Sequence, residues 1–376
     1  MTTGEPRSAY IHVPFCRHRC GYCDFTLVAG RDDLIESYLA ALNRELDSVA
    51  SPMELDTLFL GGGTPTHLST VQLERLFELL CRRFRLAAGA EFSVEANPAD
   101  VAEERVAVLA DAGVNRVSLG VQSFDDSILR TLERDHDAAI VEAAVDRLRR
   151  RIDNISLDLI FAVPGQSLPL WKGTLQRAIA LRPAHVSSYG LTVEKGTAFW
   201  NRRRKGLLPS LPDELEREMY AAAMDELAAA GFEQYEISNY ARPGFACRHN
   251  EVYWTGKPYL AFGPGAASYV NGVRTTNHRS VTTWIKRLLA GQSPVMESEQ
   301  LRPVNAARER LVIGLRRIVG VDLSQFATET GFSVDQLAAE PIQRHVAAGL
   351  LQRTPTHLRL TREGRFLSDT VNVDLL

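Results

Sequence analysis

The chain has 376 residues, 45% of them hydrophobic and 24% charged, with a formal net charge of −3. That composition describes a folded globular protein and excludes disordered, collagen-like and membrane-spanning classes. The slightly acidic balance implies no general affinity for nucleic acid or an anionic membrane.

In chain order, the opening Met1-Thr2-Thr3-Gly4-Glu5-Pro6-Arg7 holds no apolar run able to form a signal-peptide core. Nowhere do enough apolar residues follow one another to span a bilayer, so a soluble, cytoplasmic protein is expected. Residues 8–14 read as a strand stopped by Pro14. Residues 34–49 carry apolar side chains at helical spacing. Residues 56–60 form a second strand that runs into Gly61-Gly62-Gly63-Thr64-Pro65. Ser69 then reads as an N-cap, with Leu73, Leu76, Phe77, Leu80 and Phe84 along one helix face and Cys81 as core filler among them. Further strands are expected at 91–95, 116–121, 156–161 and 185–191, with helices near 101–112, 138–150 and 168–181. Six strand–helix units in series predict an α/β fold with a parallel sheet. Six fall short of the eight that close a TIM barrel, so the expectation is an open, partial (β/α)6 barrel with a lateral mouth.

Past Thr192 the alternation stops. Residues 196–212, with the run Arg202-Arg203-Arg204-Lys205, read as an exposed connection, and 215–230 as a helix capped by Gly231. From Leu301, helices at 305–317, 323–330, 334–339 and 342–348 precede a hairpin (351–354, 358–361) and a last helix. That order is winged-helix-like. Its ten Arg against eight Asp plus Glu make too small a surplus for a DNA reader, so packing or docking is expected. The resulting domains are 1–195, 196–300 and 301–376.

Five cysteines are too few for a disulfide scaffold, and three of them fall within eight residues: Cys16, Cys20 and Cys23. In C-x3-C-x2-C spacing, three soft thiolates on one loop can hold three corners of an iron–sulfur cubane and leave one iron open. Zinc is the competing metal, but no second C-x2-C or H-x3-H pairs with this one. Three buried cysteines without metal are the bland alternative.

At these residues a family resemblance enters. Tyr10 to Cys16 and Cys23-Asp24-Phe25 resemble the radical S-adenosylmethionine superfamily, in the branch of oxygen-independent coproporphyrinogen III oxidases and heme chaperones. Gly61 to Thr66, Ser93 to Pro98, Leu119 to Phe124, Asp158 to Ile160 with Pro164 to Gln166, and His249 to Trp254 continue the likeness. Placement agrees independently, because barrel sites form at the C-terminal ends of strands. The cysteine loop follows the first strand, the glycines end the second, Glu95 ends the third and Gln122 follows the fourth. Asp158 lies in the fifth and Tyr189 near the end of the sixth.

The resemblance implies a [4Fe-4S] cluster on Cys16, Cys20 and Cys23, with S-adenosyl-L-methionine on its open iron and reductive cleavage of that cosubstrate. It assigns Tyr10, Gly62 and Glu95 to the cluster-bound S-adenosylmethionine. Tyr22, Gly63, Thr64, Gln122, Arg134 and Asp158 match positions around a second such molecule. The alternatives are a tight turn for the glycines, a capping carboxylate for Glu95 and a solvated helix arginine for Arg134. Two departures stand out. Phe25 occupies the place of the oxidases' fourth cysteine, and Ala162 a place where the family often has glycine. Nine residues before Tyr10 also leave no room for the oxidases' N-terminal extension.

Cys247-Arg248-His249-Asn250 with Tyr253-Trp254 resembles the H-N-x-x-Y-W segment of the heme chaperones. His249 is therefore the candidate heme contact and Cys247 a second one, against a structural histidine held inside a loop. The leading expectation is a heme chaperone with heme as cargo. The resemblance further implies respiratory hemoprotein acceptors at the membrane, an electron donor such as a flavodoxin or ferredoxin, and a homodimer. The alternatives are coproporphyrinogen III oxidation and a radical methyl transfer.

Overall fold

The computed structural model describes residues 4–49 and 52–376; the first three residues of the opening stretch read above lie outside it. Six strands pair in parallel and in chain order: β1 (Ser8–Val13), β2 (Met53–Gly62), β3 (Phe84–Ala96), β4 (Arg116–Gln122), β5 (Asn154–Phe161) and β6 (His185–Gly190). A parallel neighbour can be reached only by a long crossover. Helices Ile35–Leu46, Thr70–Cys81, Glu103–Asp111, Ala138–Arg149 and Leu168–Ala180 supply it. Ser69 caps the second of these in a reciprocal capping box with Gln72.

The two faces of the sheet have opposite chemistry. Outward positions such as Ile11, Leu60, Val94, Leu119 and Leu157 are wholly buried against the helices, each worth roughly 1.5–3 kcal/mol relative to exposure. Trp171, also wholly buried, donates its indole N–H to the Met219 carbonyl at 2.8 Å, tying helix Leu168–Ala180 to helix Asp213–Ala229. The alternate positions, among them Glu91, Glu95, Arg116, Ser118, Asp158 and Ser187, are polar. Parallel strands covered on both faces usually read as continuous apolar runs. Here the inner face lines a cavity instead, which is why polar side chains recur in buried strands.

The sheet exceeds six strands. On one edge β8 (Leu260–Phe262) runs parallel beside β1; on the other β7 (Asn239–Ala241) runs antiparallel beside β6, with Glu233–Gln234 outside it. Strands of three residues are too short to show a period, so sequence patterning passed over them. β3 starts at Phe84 rather than 91, because residues 84–86 pair with Met53–Leu55 ahead of a register shift. Phe84 is therefore a strand residue and not the end of the helix face. Cys81 is exposed rather than core filler. It lies about 100° around the helix from Leu80, and the helix stops there.

Residues 196–212 also differ from the expected open connection. Thr197 caps a helix, Ala198–Arg204, accepting the Trp200 N–H at 3.1 Å, and Phe199 is wholly buried beneath it. Further on, helix Val281–Leu289 docks on helix Ile35–Leu46, with Trp284 at 5.5 Å from Tyr38. Residues 307–375 enclose a separate core around Leu311, Phe326, Ile342 and Leu358. Five helices there (Pro303–Gly314, Leu323–Thr330, Val334–Ala347, Arg362–Phe366 and Ser368–Leu375) accompany a three-stranded antiparallel sheet. The third helix is kinked at Ala338, ahead of Pro341, where the sequence suggested two helices. Arg362 fastens this unit to Asp225 by two hydrogen bonds of 2.7 and 2.9 Å, and Arg217 lies 4.4 Å over the Phe366 ring. Among the described residues no helix is long and apolar enough to cross a membrane.

Candidate functional site

The loop after β1 carries the three clustered cysteines and is fastened at its base. Phe15 and Cys16 pair with Val28 and Ala29, and within the loop the Cys23 N–H donates to the Cys20 carbonyl at 3.0 Å. His12 holds its returning limb. Its Nε2 lies 2.6 Å from the Thr26 carbonyl, which can only accept, so Nε2 carries the proton and Nδ1 accepts from the Tyr10 hydroxyl at 3.2 Å. Burial lowers the His12 pKa to about 4, so the ring is neutral. His12 therefore serves the cysteine loop structurally.

The three thiols are half-buried in the wall of a cavity of about 500 Å³, well within the ~300–1,000 Å³ range of small-molecule sites. Burial pushes Cys16 up to about 11 and also raises Cys23. Cys16 Sγ is 3.3 Å from Thr64 Oγ1, and Arg134 Nη1 donates to Cys20 Sγ at 3.7 Å. Arg134 Nη2 donates to the Gly120 carbonyl at 2.9 Å, while its enclosed Nε has no partner among the described residues. Arg134 is thus an anchored cation beside the thiols and not a solvated one. Three thiols around one cavity with a cation beside them suit an iron–sulfur cluster, whose thiolates bring negative charge.

The glycine run is sterically required at each position. A Cβ on Gly61 would come within 2.8 Å of Glu95 Oε2, one on Gly62 within 2.4 Å of the His12 ring, and one on Gly63 within 2.7 Å of the Phe15 carbonyl. Gly62 also has φ of +109°. The run packs against the end of β1, where the Gly63 N–H donates to Val13 O and the Thr64 N–H to Phe15 O, both at 2.8 Å. The Gly62 N–H donates to Glu95 Oε2 at 2.9 Å.

Glu95 is raised to about 7, first by burial and further by the charge of Asp158, against the Gly62 N–H. Burial also raises Asp158, although Ser118 Oγ lies 2.9 Å from both its oxygens and Ser156 Oγ 3.2 Å from one. Gln122 reaches the cavity through an irregular backbone. The β4–β5 register shifts between Gly120 and Gln122, and Gln122 has φ of +66°. Such a bulge re-aims a side chain at roughly 1–3 kcal/mol of local strain. Ala162 has φ of +60°, the backbone conformation that explains why glycine suits its place.

The cavity brings together Cys16, Cys20, Cys23, Tyr22, Gly62, Gly63, Thr64, Glu95, Gln122, Arg134 and Asp158. Tyr10 does not line it; its ring stacks 6.0 Å from Phe59 with its hydroxyl on His12. Sequence reasoning missed Phe199, whose N–H donates to the Gly21 carbonyl at 2.8 Å and whose ring leaves no room for a Cβ on Gly21. It also missed Glu133, which bridges His18 at 3.5 Å and Arg202 at 2.7 Å. The Thr197 cap was the one available signal for the first; the second had none.

His249 and Cys247 sit at the lower end of the barrel, where Cys247 lines the floor of the cavity and His249 does not line it. Helix Arg248–Trp254 plugs this end, and Glu91 accepts the Arg248 and His249 N–H groups at 3.0 and 3.1 Å and the Cys247 thiol at 3.5 Å. His249 is 1% exposed, with Nδ1 at 2.8 Å from Thr57 Oγ1 and Nε2 at 2.8 Å from the Tyr253 hydroxyl. Burial lowers its pKa to about 3 and pushes the Cys247 thiol up to about 12. In this arrangement neither ring nitrogen is presented to iron.

Residues 10–178 match the radical SAM superfamily and residues 301–367 the HemN C-terminal domain. The chain is 38% identical over 370 residues to the heme chaperone HemW of Bacillus subtilis, covering 97% of this chain and 98% of that one. The chain belongs to the HemW family of radical SAM proteins. To the HemW of Escherichia coli it is 33% identical over 384 residues, covering 99% and 98%. Among solved structures, the coproporphyrinogen III oxidase HemN of Escherichia coli superposes with a TM-score of 0.85 over 98% of this chain and 90% of that one, at 23% identity. That likeness shows the fold. Superfamily membership implies a [4Fe-4S] cluster and S-adenosylmethionine.

Proposed function

We propose that this chain is a heme chaperone that binds heme on a barrel also holding a [4Fe-4S] cluster and S-adenosylmethionine, and passes the heme to respiratory hemoproteins. Full-length likeness to relatives named heme chaperones supports the reading. The observation that carries it is Phe25, 58% exposed on the rim of the cavity. An apolar ring stands there in place of the fourth cysteine of the oxidase branch.

Cys16, Cys20 and Cys23 would hold the cluster, which supplies a single electron to the sulfonium when bound. The chain's own groups then bind and orient. Gly62 and Gly63 let backbone approach the methionine end, and Glu95 in its ionised form attracts the cosubstrate's ammonium. Arg134 offers a free N–H edge to a carboxylate. Thr64, Gln122 and Asp158 offer hydrogen bonds around the nucleoside or a second cosubstrate, and Tyr22 an aromatic wall. His12, neutral, keeps Thr26 and so the cysteine loop in place. An electron-donor protein of the flavodoxin or ferredoxin kind, acceptors at the membrane, a homodimer, a cytoplasmic location and division at about residues 195 and 300 belong to the same reading.

Anaerobically reconstituted protein should bind stoichiometric heme and leave coproporphyrinogen III unconverted, read by absorbance and mass spectrometry in separate incubations. Robust formation of protoporphyrinogen would overturn the chaperone reading, and methylated tetrapyrrole would replace it with methyl transfer.

A further inference from the structure

We propose that heme lies across the mouth of the barrel, one face on Phe25 and an edge toward Tyr189, with a carboxylate on Arg19, so that bound heme caps the S-adenosylmethionine cavity. This rests on the heme-chaperone reading and adds the place of binding. Two large aromatic residues, Phe25 at 58% and Tyr189 at 42% exposure, stand exposed on the lining of the same cavity. They enter from different elements: Phe25 from the cysteine loop, Tyr189 from the end of β6. Leu27, Ile160 and Leu191 line the same cavity and extend its apolar wall. Exposed aromatic surface on the edge of a cavity marks a binding face for a flat apolar ligand.

Phe25 is presented rigidly. The segment around it is held by the Cys23 N–H on Cys20 O, the Thr26 carbonyl on His12 and the Val28 N–H on Pro14 O. The same segment fixes a cation. Arg19 donates to the Cys23 carbonyl at 3.3 Å and the Leu27 carbonyl at 2.7 Å, bracketing Phe25 in sequence. Among the described residues no carboxylate forms an ion pair with Arg19, whose side chain is exposed. Arg19 does not itself line the cavity, so it would meet a carboxylate that reaches past the rim. An aromatic platform with a cation on the same segment matches a porphyrin, which is flat, apolar and edged by carboxylates. Of the two residues expected to contact heme, His249 is enclosed in the barrel plug, and Cys247 lines the floor of the same cavity but is only 2% exposed.

The test measures heme affinity on the anaerobically reconstituted full chain. Phe25→Ser should weaken heme binding by about tenfold or more. Its iron and sulfide should be unchanged, since the backbone N–H that reaches the Cys23 thiol is kept. Tyr189→Ser, on β6, should weaken binding by a smaller factor and lies outside the cysteine loop. Arg19→Gln should weaken heme but leave heme dimethyl ester, which lacks the carboxylate charge, unaffected. Added heme should slow release of labelled S-adenosylmethionine from wild-type protein. If wild-type protein fails to bind heme, the chaperone reading falls. If it binds heme while Phe25→Ser and Tyr189→Ser bind equally well, or if heme leaves S-adenosylmethionine release unchanged, the mouth placement falls and the chaperone reading stands.

Discussion

The mouth and the floor of the barrel are built from the same strands, yet their polar groups are in opposite states. At the floor the acid and the two imidazoles are matched, while the Trp254 indole N–H of the plug helix has no partner among the described residues. Glu91 takes three donors, His249 two partners, and His185 is held by Ser156 Oγ at 2.8 Å and the Tyr235 hydroxyl at 3.0 Å. At the mouth groups are left over: an enclosed Arg134 Nε without partner, three half-buried thiols, a carboxyl raised to about 7 and an exposed phenyl ring. Saturated polar groups stabilise a fold, and unsaturated ones that line a cavity are available to a ligand. Within the H-N-x-x-Y-W segment, His249 and Tyr253 belong to the first kind.

The comparison breaks most visibly at Cys20. Cys20→Ala should lose the cluster, read as loss of stoichiometric iron and sulfide and of the brown absorbance in folded protein. Retention of both would contradict the thiol set.

At the floor, His249→Ala should cost roughly 2–4 kcal/mol, since it opens a void and leaves the Thr57 and Tyr253 hydroxyls unpaired. In the protein that remains folded, heme affinity should be unchanged. A specific loss of heme affinity at full stability would move the heme site to the floor. The pH dependence sharpens this. His249 is depressed to about 3 in the fold, against about 6.5 in the unfolded chain. Its contribution is present above pH 6.5 and is lost as pH falls toward 3, because the unfolded state then binds the extra proton. The stability gap between wild type and His249→Gln, measured by urea denaturation, should therefore narrow from pH 7 to pH 5.

At the mouth, Glu95 titrates near 7, so S-adenosylmethionine should bind more tightly as pH rises through that value, by up to about tenfold per unit below it. Equilibrium dialysis of wild type against Glu95→Gln measures this; a pH dependence that survives in the variant would remove Glu95 from the site. The smallest effect is expected at Ala162. With φ at +60°, Ala162→Gly relieves left-handed strain and loses chain entropy, leaving a change within about 1 kcal/mol toward greater stability. A thermal denaturation midpoint that falls instead would show that the methyl group packs usefully.

The six strand–helix units, the thiol loop and the glycine run were legible because each rests on local order: alternation along strands, three thiols in eight residues and a glycine triplet after a strand. The short edge strands, helix Ala198–Arg204 and the full length of β3 were not, since pairing partners distant in sequence define them. At 249 the same limit acts on function. An imidazole beside aromatic residues reads equally as a ligand or as a plug, and the partners that hold it here, Thr57, Glu91 and Tyr253, come from two strands and the next helical turn. Sequence by itself determined the kind of chemistry, because residue type fixes which atoms can donate, accept or ligate. Tertiary structure decided which of those atoms remain free, because that depends on neighbours that sequence spacing does not reveal.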